Sequence, residues 1–270
     1  MNATKVEQRK VELAFELSGT PEQVWQAIAT GPGISSWFVP TEVEEREGGA
    51  ITFRLDPQTI SAGTVTCWQP PDRFAYEERD WADNAPPLAT ELIVEARAGG
   101  RCVVRLVHSL FTDSDAWDDQ LSDFEAGWGP FFEVLELYLT HFHGLPCASF
   151  RSLSAVEGSQ VEAWQALLQK LGLSGASAGE HRRVLAPLAL PFAGRLQRTD
   201  EGKSRRDVLL LLDEPTPGIA LFGVYLAAGK VYAGLSCYLF GDAAAEVRAL
   251  QAPAWETWFA EPPAEPTVQR

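Results

Sequence analysis

The chain has 270 residues, enough for one large or two modest domains, and its 46% hydrophobic and 22% charged composition is that of a globular protein. Its formal charge of −15 is uneven: residues 1–145 hold 10 Lys+Arg against 24 Asp+Glu, and residues 146–270 hold 12 against 13. So acidic a first half repels phosphate backbones and anionic lipid surfaces, and nucleic acid is not an expected partner. Met1 to Lys10 is polar and lacks the apolar core of a signal peptide, and the longest apolar run, Ile219 to Ala228, is too short to span a bilayer. Cys67, Cys102, Cys147 and Cys237 are scattered without a close pair, which reads as reduced thiols in a cytoplasmic protein.

The first element is a strand, with Val11, Leu13, Phe15 and Leu17 alternating against Glu12, Ala14 and Glu16. Thr20-Pro21-Glu22 then stops the strand and starts a helix: Thr20 is placed to cap it, and Pro21 suits its first position. Val24, Trp25 and Ile28 form the apolar face of that helix. Gly31-Pro32-Gly33 breaks it, and a second short helix runs from Ile34 to Phe38. Strand patterns follow at 42–47, 50–55, 64–68, 73–79, 90–96 and 101–110, with turn chemistry at Gly48-Gly49, Pro70-Pro71-Asp72 and Gly99-Gly100. Links this short make neighbouring strands antiparallel. In the last strand Cys102, Val104, Leu106, His108 and Leu110 share one face, opposite Val103, Arg105, Val107 and Ser109.

A long helix from Trp117 to Phe142 closes this half, with Leu121, Phe124, Trp128, Phe131, Leu135, Tyr138 and Phe142 recurring at three- and four-residue steps. Gly129-Pro130 predicts a kink or restart inside it. A curved antiparallel sheet wrapped on one long helix can enclose a cavity, so the order of elements predicts an α+β container. After Gly144 a separate unit is expected, so the domains are read as 1–145 and 146–270. The second holds a helix at 160–171, strands near 184–190, 194–198, 206–212, 219–227 and 231–240, and terminal helices at 243–250 and 254–259 split by Pro253. Its helix, sheet, helix order suggests a shortened relative of the first half, though no motif repeats.

Five segments of the first half resemble, in order, the START-like helix-grip superfamily (SRPBCC) and, within it, the AHSA-type domains named for activators of the heat-shock-chaperone ATPase. They are "TPEQVWQAIATGPGISSWFVP" (20–40), "GGAITFRL" (48–55), "GTVTCWQPPDRFAYEERD" (63–80), "TELIVEARAGGRCVVRLVHSLF" (90–111) and "GWGPFFEVLELYL" (127–139). The resemblance implies a helix-grip fold over 1–145. It also implies roles ranging from lipid carriage through aromatase/cyclase-like chemistry to chaperone regulation and stress response. One fold hosts many tasks, so the residues must decide.

The candidate ligand-binding residues are Trp37, Phe38, Phe53, Trp68, Phe74, Trp81, Trp128, Phe131 and Phe132, an aromatic lining suited to a planar or lipid-like molecule. His108, if it faces the helix, could orient a carbonyl or hydroxyl of that ligand or act as an acid/base, and a structural histidine is the plainer alternative. His141 and His143 point in different directions on the helix, the acids Asp113, Asp115, Asp118 and Asp119 lack an EF-hand pattern, and neither a nucleophile elbow nor a phosphate loop is present. No metal or cofactor is therefore expected, and an enzyme is disfavoured. The leading expectation is non-enzymatic binding of a small apolar or aromatic ligand between sheet and helix. The alternatives are a chaperone-regulator-like protein interaction and a cyclase- or hydratase-like reaction using His108.

Overall fold

The structure, a computed structural model, describes residues 8–55, 59–79, 81–82, 84–112, 117–185, 190–202, 205–227 and 229–260. It forms two compact units, Met1–Gly144 and Leu145–Arg270. No helix among the described residues is long and apolar enough to cross a membrane.

The first unit runs β1 (Gln8–Ser18), α1 (Pro21–Ala29), α2 (Gly31–Ser35), β2 (Thr41–Val43), β3 (Ala50–Arg54), β4 (Ile60–Gln69), β5 (Arg73–Glu78), β6 (Leu88–Arg97), β7 (Arg101–Phe111) and α3 (Asp118–His141). Its seven strands form one antiparallel sheet in the order β1-β7-β6-β5-β4-β3-β2. The first strand lies beside the last, in register from Gln8 opposite Phe111 to Ser18 opposite Arg101. Thr20 closes a capping box with Gln23, which fixes where α1 begins. Gly33 lets α2 fold back on α1, because a Cβ there would stand 1.9 Å from the carbonyl oxygen of Gln26. Inward-facing Leu17, Val104 and Leu106 make the core with Trp25 and Ile28 of α1 and Val134 and Leu135 of α3.

The second unit repeats the plan with one strand and one helix fewer. It runs β8 (Cys147–Val156), α4 (Gln160–Leu171), β9 (His181–Arg183), β10 (Ala193–Glu201), β11 (Arg205–Glu214), β12 (Gly218–Ala227), β13 (Lys230–Phe240) and α5 (Ala244–Ala260). Its sheet order is β8-β13-β12-β11-β10-β9, so again the first strand pairs with the last, a helix follows the first strand, and a helix ends the unit. Both units are therefore α+β helix-grip arrangements. The core of the second joins Trp164 and Leu171 of α4, Phe222 and Leu235 of the sheet, and Trp255 and Trp258 of α5.

Several expectations need correction. The strand expected at 42–47 ends at Val43, because Gly48 and Gly49 already belong to a tight turn in which Gly49 crowds the carbonyl of Glu44. The strand expected near 184–190 lies at His181–Arg183, and β8 is an unforeseen strand. Pro130 and Pro253 both sit inside continuous helices, so neither helix is divided where its proline lies. Asp113, Asp115 and residues 261–270 are outside the described residues, as are the side chains of Asp118, Asp119, Leu121 and Phe124.

Candidate functional site

In the first unit the sheet register lines up three polar side chains. Tyr76 on β5 is opposite Thr90 on β6, and Thr90 is opposite His108 on β7. All three are buried, with His108 only 3% exposed, so His108 does face the helix and Arg105 faces away. Trp128 of α3 donates its indole N–H to His108 Nε2 at 2.6 Å. An indole nitrogen can only donate, so Nε2 is the acceptor and the neutral ring carries its proton on Nδ1. That Nδ1–H then donates to Thr90 Oγ1 at 3.0 Å, and Thr90 stands opposite Tyr76 in the sheet. Burial lowers the His108 pKa to about 4 and pushes the Tyr76 phenol up, so both are neutral at physiological pH. Glu78, the next inward side chain of β5, is also raised by burial and accepts a hydrogen bond from Ser61.

Around this row stands an aromatic cluster. The Trp128 ring neighbours Phe38, at a centroid distance of 4.9 Å, and His108, at 5.5 Å. Trp37 packs on Phe132 at 5.4 Å, Phe132 stacks on Phe15 at 3.8 Å, and Phe131 meets Phe38 edge-on at 5.0 Å. Phe53 joins through Phe38 and Tyr76. Among the described residues, the space beneath Trp128 is small. The cavity lined by Ile28, Ile34, Trp37, Phe38, Phe53, Tyr76, Thr90, Leu92, Leu106 and Trp128 has a volume of about 20 Å³, room for one water. Trp37, Phe38, Phe53 and Trp128, four of the expected lining residues, do line this cavity.

Three expected residues lie elsewhere. Trp68 and Phe74 pack with Trp25 beneath α1, at 5.1 and 6.3 Å from it. Trp81 stands with Trp117, Leu88 and Leu110 in a separate small cluster and donates to the carbonyl of Pro86. Tyr76 and Thr90 were missed, although the alternation Phe74, Tyr76, Glu78 places Tyr76 inward.

The turn of α3 that carries Trp128 is weak by composition. Gly127 and Gly129 flank it, and Pro130 has no N–H to give the preceding turn. A Cβ built on either glycine meets nothing within 4 Å, so packing does not demand glycine there, yet each costs a helix interior about 1 kcal/mol relative to alanine.

Among the described residues, a larger hollow is found in the second unit. A chamber of about 590 Å³ opens between α4, the end of β8, β13 and the last turn of α5. It exists because small side chains stand where large ones would meet: Ala163 and Ala166 on one face of α4, and Ala233 opposite Ser154 on the sheet. Leu167, Val156, Trp258 and Phe259 make the rest of the wall apolar, with Glu157, Glu162 and Lys170 as its charged residues. Glu162 is held in the capping box of Ser159, which keeps its carboxyl below the usual range. Lys170 donates to the Trp258 carbonyl at 2.8 Å, with its ammonium 3.9 Å over the Trp258 ring. One side chain thus ties α4 to the end of α5.

Among the described residues no group of three or more His, Cys, Asp or Glu side chains could hold a metal ion. All four cysteines are free thiols.

Residues 18–140 match the model of the family described as "Activator of Hsp90 ATPase homolog 1-like protein", a match lying wholly within the first unit, which is thus a helix-grip domain of the AHSA type. No curated protein matches the chain. Among solved structures, CalU16 from Micromonospora echinospora is 19% identical over 50% of this chain and 78% of its own, with a TM-score of 0.41. The Aha1 dimer from Colwellia psychrerythraea is 19% identical over 48% of this chain and 96% of its own, with a TM-score of 0.38. DynU16, a protein of the dynemicin biosynthetic locus, is 14% identical over 93% of this chain and 95% of its own, with a TM-score of 0.44.

Proposed function

We propose that this chain, whose first unit is an AHSA-type helix-grip domain, binds a small apolar molecule without transforming it, and that the chamber of the second unit is the place of binding. The observation that carries this reading is the volume of about 590 Å³, within the range of small-molecule sites, behind a mostly apolar wall. Its charged residues are two acids and one lysine, and Glu162 and Lys170 already serve helix ends. That favours an uncharged ligand with a ring or branched aliphatic body against Trp258 and Phe259. The free thiols fit a reducing, cytoplasmic setting.

Native mass spectrometry of the full chain with a panel of apolar metabolites tests it. One class should remain bound, with Trp258 fluorescence changing on titration, and Ala166→Phe with Ala233→Leu should abolish retention. A panel without any retained compound, or a filled variant that binds as well as the parent, overturns the reading.

A second reading concerns protein partners. On the first unit a cleft of about 310 Å³ is lined by Glu22, Gln26, Glu45, Trp25, Trp68, Pro70 and Pro71. Two carboxylates beside an indole on so acidic a half favour a basic segment of a partner protein. Binding of a Lys/Arg-rich peptide should weaken steeply with salt and vanish in Glu22→Lys/Glu45→Lys; salt-independent binding would argue against charge guidance.

A further inference from the structure

We propose that β8, an edge strand of the second unit, is a self-pairing edge, on which a second copy of this chain docks its own β8 antiparallel about a twofold axis through Leu153. The backbone fixes which groups that edge presents. Gly241 N–H donates to the Pro146 carbonyl at 2.9 Å, one step beyond the register pair of Phe240 and Cys147. Alternation along an antiparallel ladder then gives the even-numbered residues of β8, from Ala148 to Val156, the hydrogen bonds to β13. The odd-numbered ones, Ser149, Arg151, Leu153 and Ala155, turn their N–H and C=O groups away from β13. Arg248 agrees with this parity, because its Nε donates to the Ser149 carbonyl at 2.7 Å from outside the ladder.

Such an edge is a template for another strand, and proteins blunt it with brevity, charge, proline or a bulge. The other edges of the two sheets are blunted. β2 and β9 have three residues each, and β1 carries Arg9, Lys10, Glu12 and Glu16. β8 is ten residues long with Arg151 as its one charge and no proline, and its register with β13 runs unbroken. Leu153 is 38% exposed, and Ala155 is exposed as well.

The occupant follows from what this edge tolerates. A register centred on Arg151 would oppose two cations. One centred on Ser152 needs the Ser149 carbonyl that Arg248 already holds, and one centred on Ser154 needs Glu157, beyond the end of β8. Centred on Leu153, the strand meets itself without conflict. Leu153 exchanges both backbone hydrogen bonds with the partner's Leu153, and the Ala155 N–H faces the partner's Arg151 carbonyl, whose two lone pairs allow a second bond. The two exposed leucines cover each other on one face, and Ser152 stands opposite the partner's Ser154 on the other. Charge favours a second copy here too. Residues 146–270 hold 12 Lys+Arg against 13 Asp+Glu, so copies meeting through this unit avoid the repulsion that the acidic first half would bring. One strand on one strand is a small contact, and the dimer is therefore reversible.

Analytical ultracentrifugation of the full chain, with hydrogen exchange resolved along β8, tests this. A monomer–dimer equilibrium is expected that tightens as salt rises, because screening relieves the repulsion between two chains of charge −15. As protein concentration rises, the amides of Leu153 and Ala155 should gain protection, while those of Ser152 and Ser154, already bonded to β13, should not change. Leu153→Lys opposes two ammonium groups across the axis and should weaken dimerisation at least about tenfold. Leu153→Pro keeps every bond to β13, since the N–H it removes faces outward, and should leave a folded monomer.

A chain that stays monomeric at every concentration it tolerates overturns the proposal. So does a dimer that both variants leave unchanged, or one that salt weakens. Association running on past the dimer overturns it too, since a twofold contact closes on itself. Should neither variant fold, the parent still decides: Leu153 and Ala155 amides whose protection ignores concentration sink the pairing.

Discussion

The two units share a strand order and a closing helix, yet they use the space between sheet and helix in opposite ways. In the first, among the described residues, Trp37, Phe38, Trp128 and Phe132 crowd together beside a cavity of about 20 Å³. In the second, alanines at 163, 166 and 233 leave about 590 Å³. Strand topology sets where a cavity can be, and side-chain volume at a few facing positions decides whether it is there. The units also differ in their buried polar groups. The first buries a neutral row, Tyr76, Thr90, His108 and Trp128, in which the last three are joined by hydrogen bonds. The second buries an ionic cluster, in which Asp207, 1% exposed, accepts from Arg198 Nη2 at 2.5 Å and Arg205 Nε at 3.2 Å.

The ionic cluster should be the more costly to break. Burial pushes the Asp207 carboxyl up and the Arg205 guanidinium down, so desolvation outweighs pairing on both partners. Removing one partner then strands the others. Asp207→Ala is expected to destabilise the second unit by about 4 kcal/mol, read as lost hydrogen-exchange protection in β11 and β12. A loss below about 1 kcal/mol would mean that solvent reaches the arginines and that the two units do not differ in this respect.

The neutral row should give the first unit an acid sensitivity of definite sign. His108 has a folded pKa of about 4, below its ordinary value of 6.5. Between those values the unfolded chain binds a proton that the folded one does not. Stability from this group is complete above about pH 6.5 and falls as the pH drops towards 4, by roughly 3 kcal/mol in all. Glu78, raised by burial, works the other way, gaining a proton in the fold first as the pH falls. His108→Gln keeps an acceptor for Trp128 and a donor for Thr90 and removes the titration. The difference between parent and variant in denaturant midpoint, followed from pH 7 to 4, therefore isolates His108. Parallel curves would show that His108 is solvated.

Much of the first unit is legible from residue order. The alternation of β7 puts His108 on the inner face, Thr20-Pro21 marks the start of α1, and the three- and four-step stripe marks α3. The row itself is not legible, because Tyr76, Thr90 and His108 meet only through the β5-β6-β7 register, and a slip of one residue would turn each to the other face. Trp68, Phe74 and Trp81 show the same limit: periodicity gives a face, not a position along the sheet. In the second unit β8 escapes notice because its inner face carries Phe150, Ser152 and Ser154, only one of them large. The chamber is harder still, since it is made by what is missing, and alanine on a helix gives no signal of a cavity.

The smallest expected effect sharpens the comparison most. If α3 is held to Trp128 purely by packing, Gly127→Ala and Gly129→Ala each remove backbone freedom from a helix interior into open space and should stabilise the first unit by about 0.5–1 kcal/mol. The same gain is expected if that turn is loose in the native state, so thermal stability alone cannot separate the two. Motion can. A loose turn moves Trp128 between states on the microsecond-to-millisecond scale, and its indole N–H should show relaxation dispersion that both alanine substitutions quench. In the second unit Trp258, tied to α4 through Lys170, has no glycine beside it and should show none. Dispersion equal at Trp128 and Trp258, or unchanged by alanine at 127 and 129, would make the filled unit as rigid as its aromatic packing alone suggests.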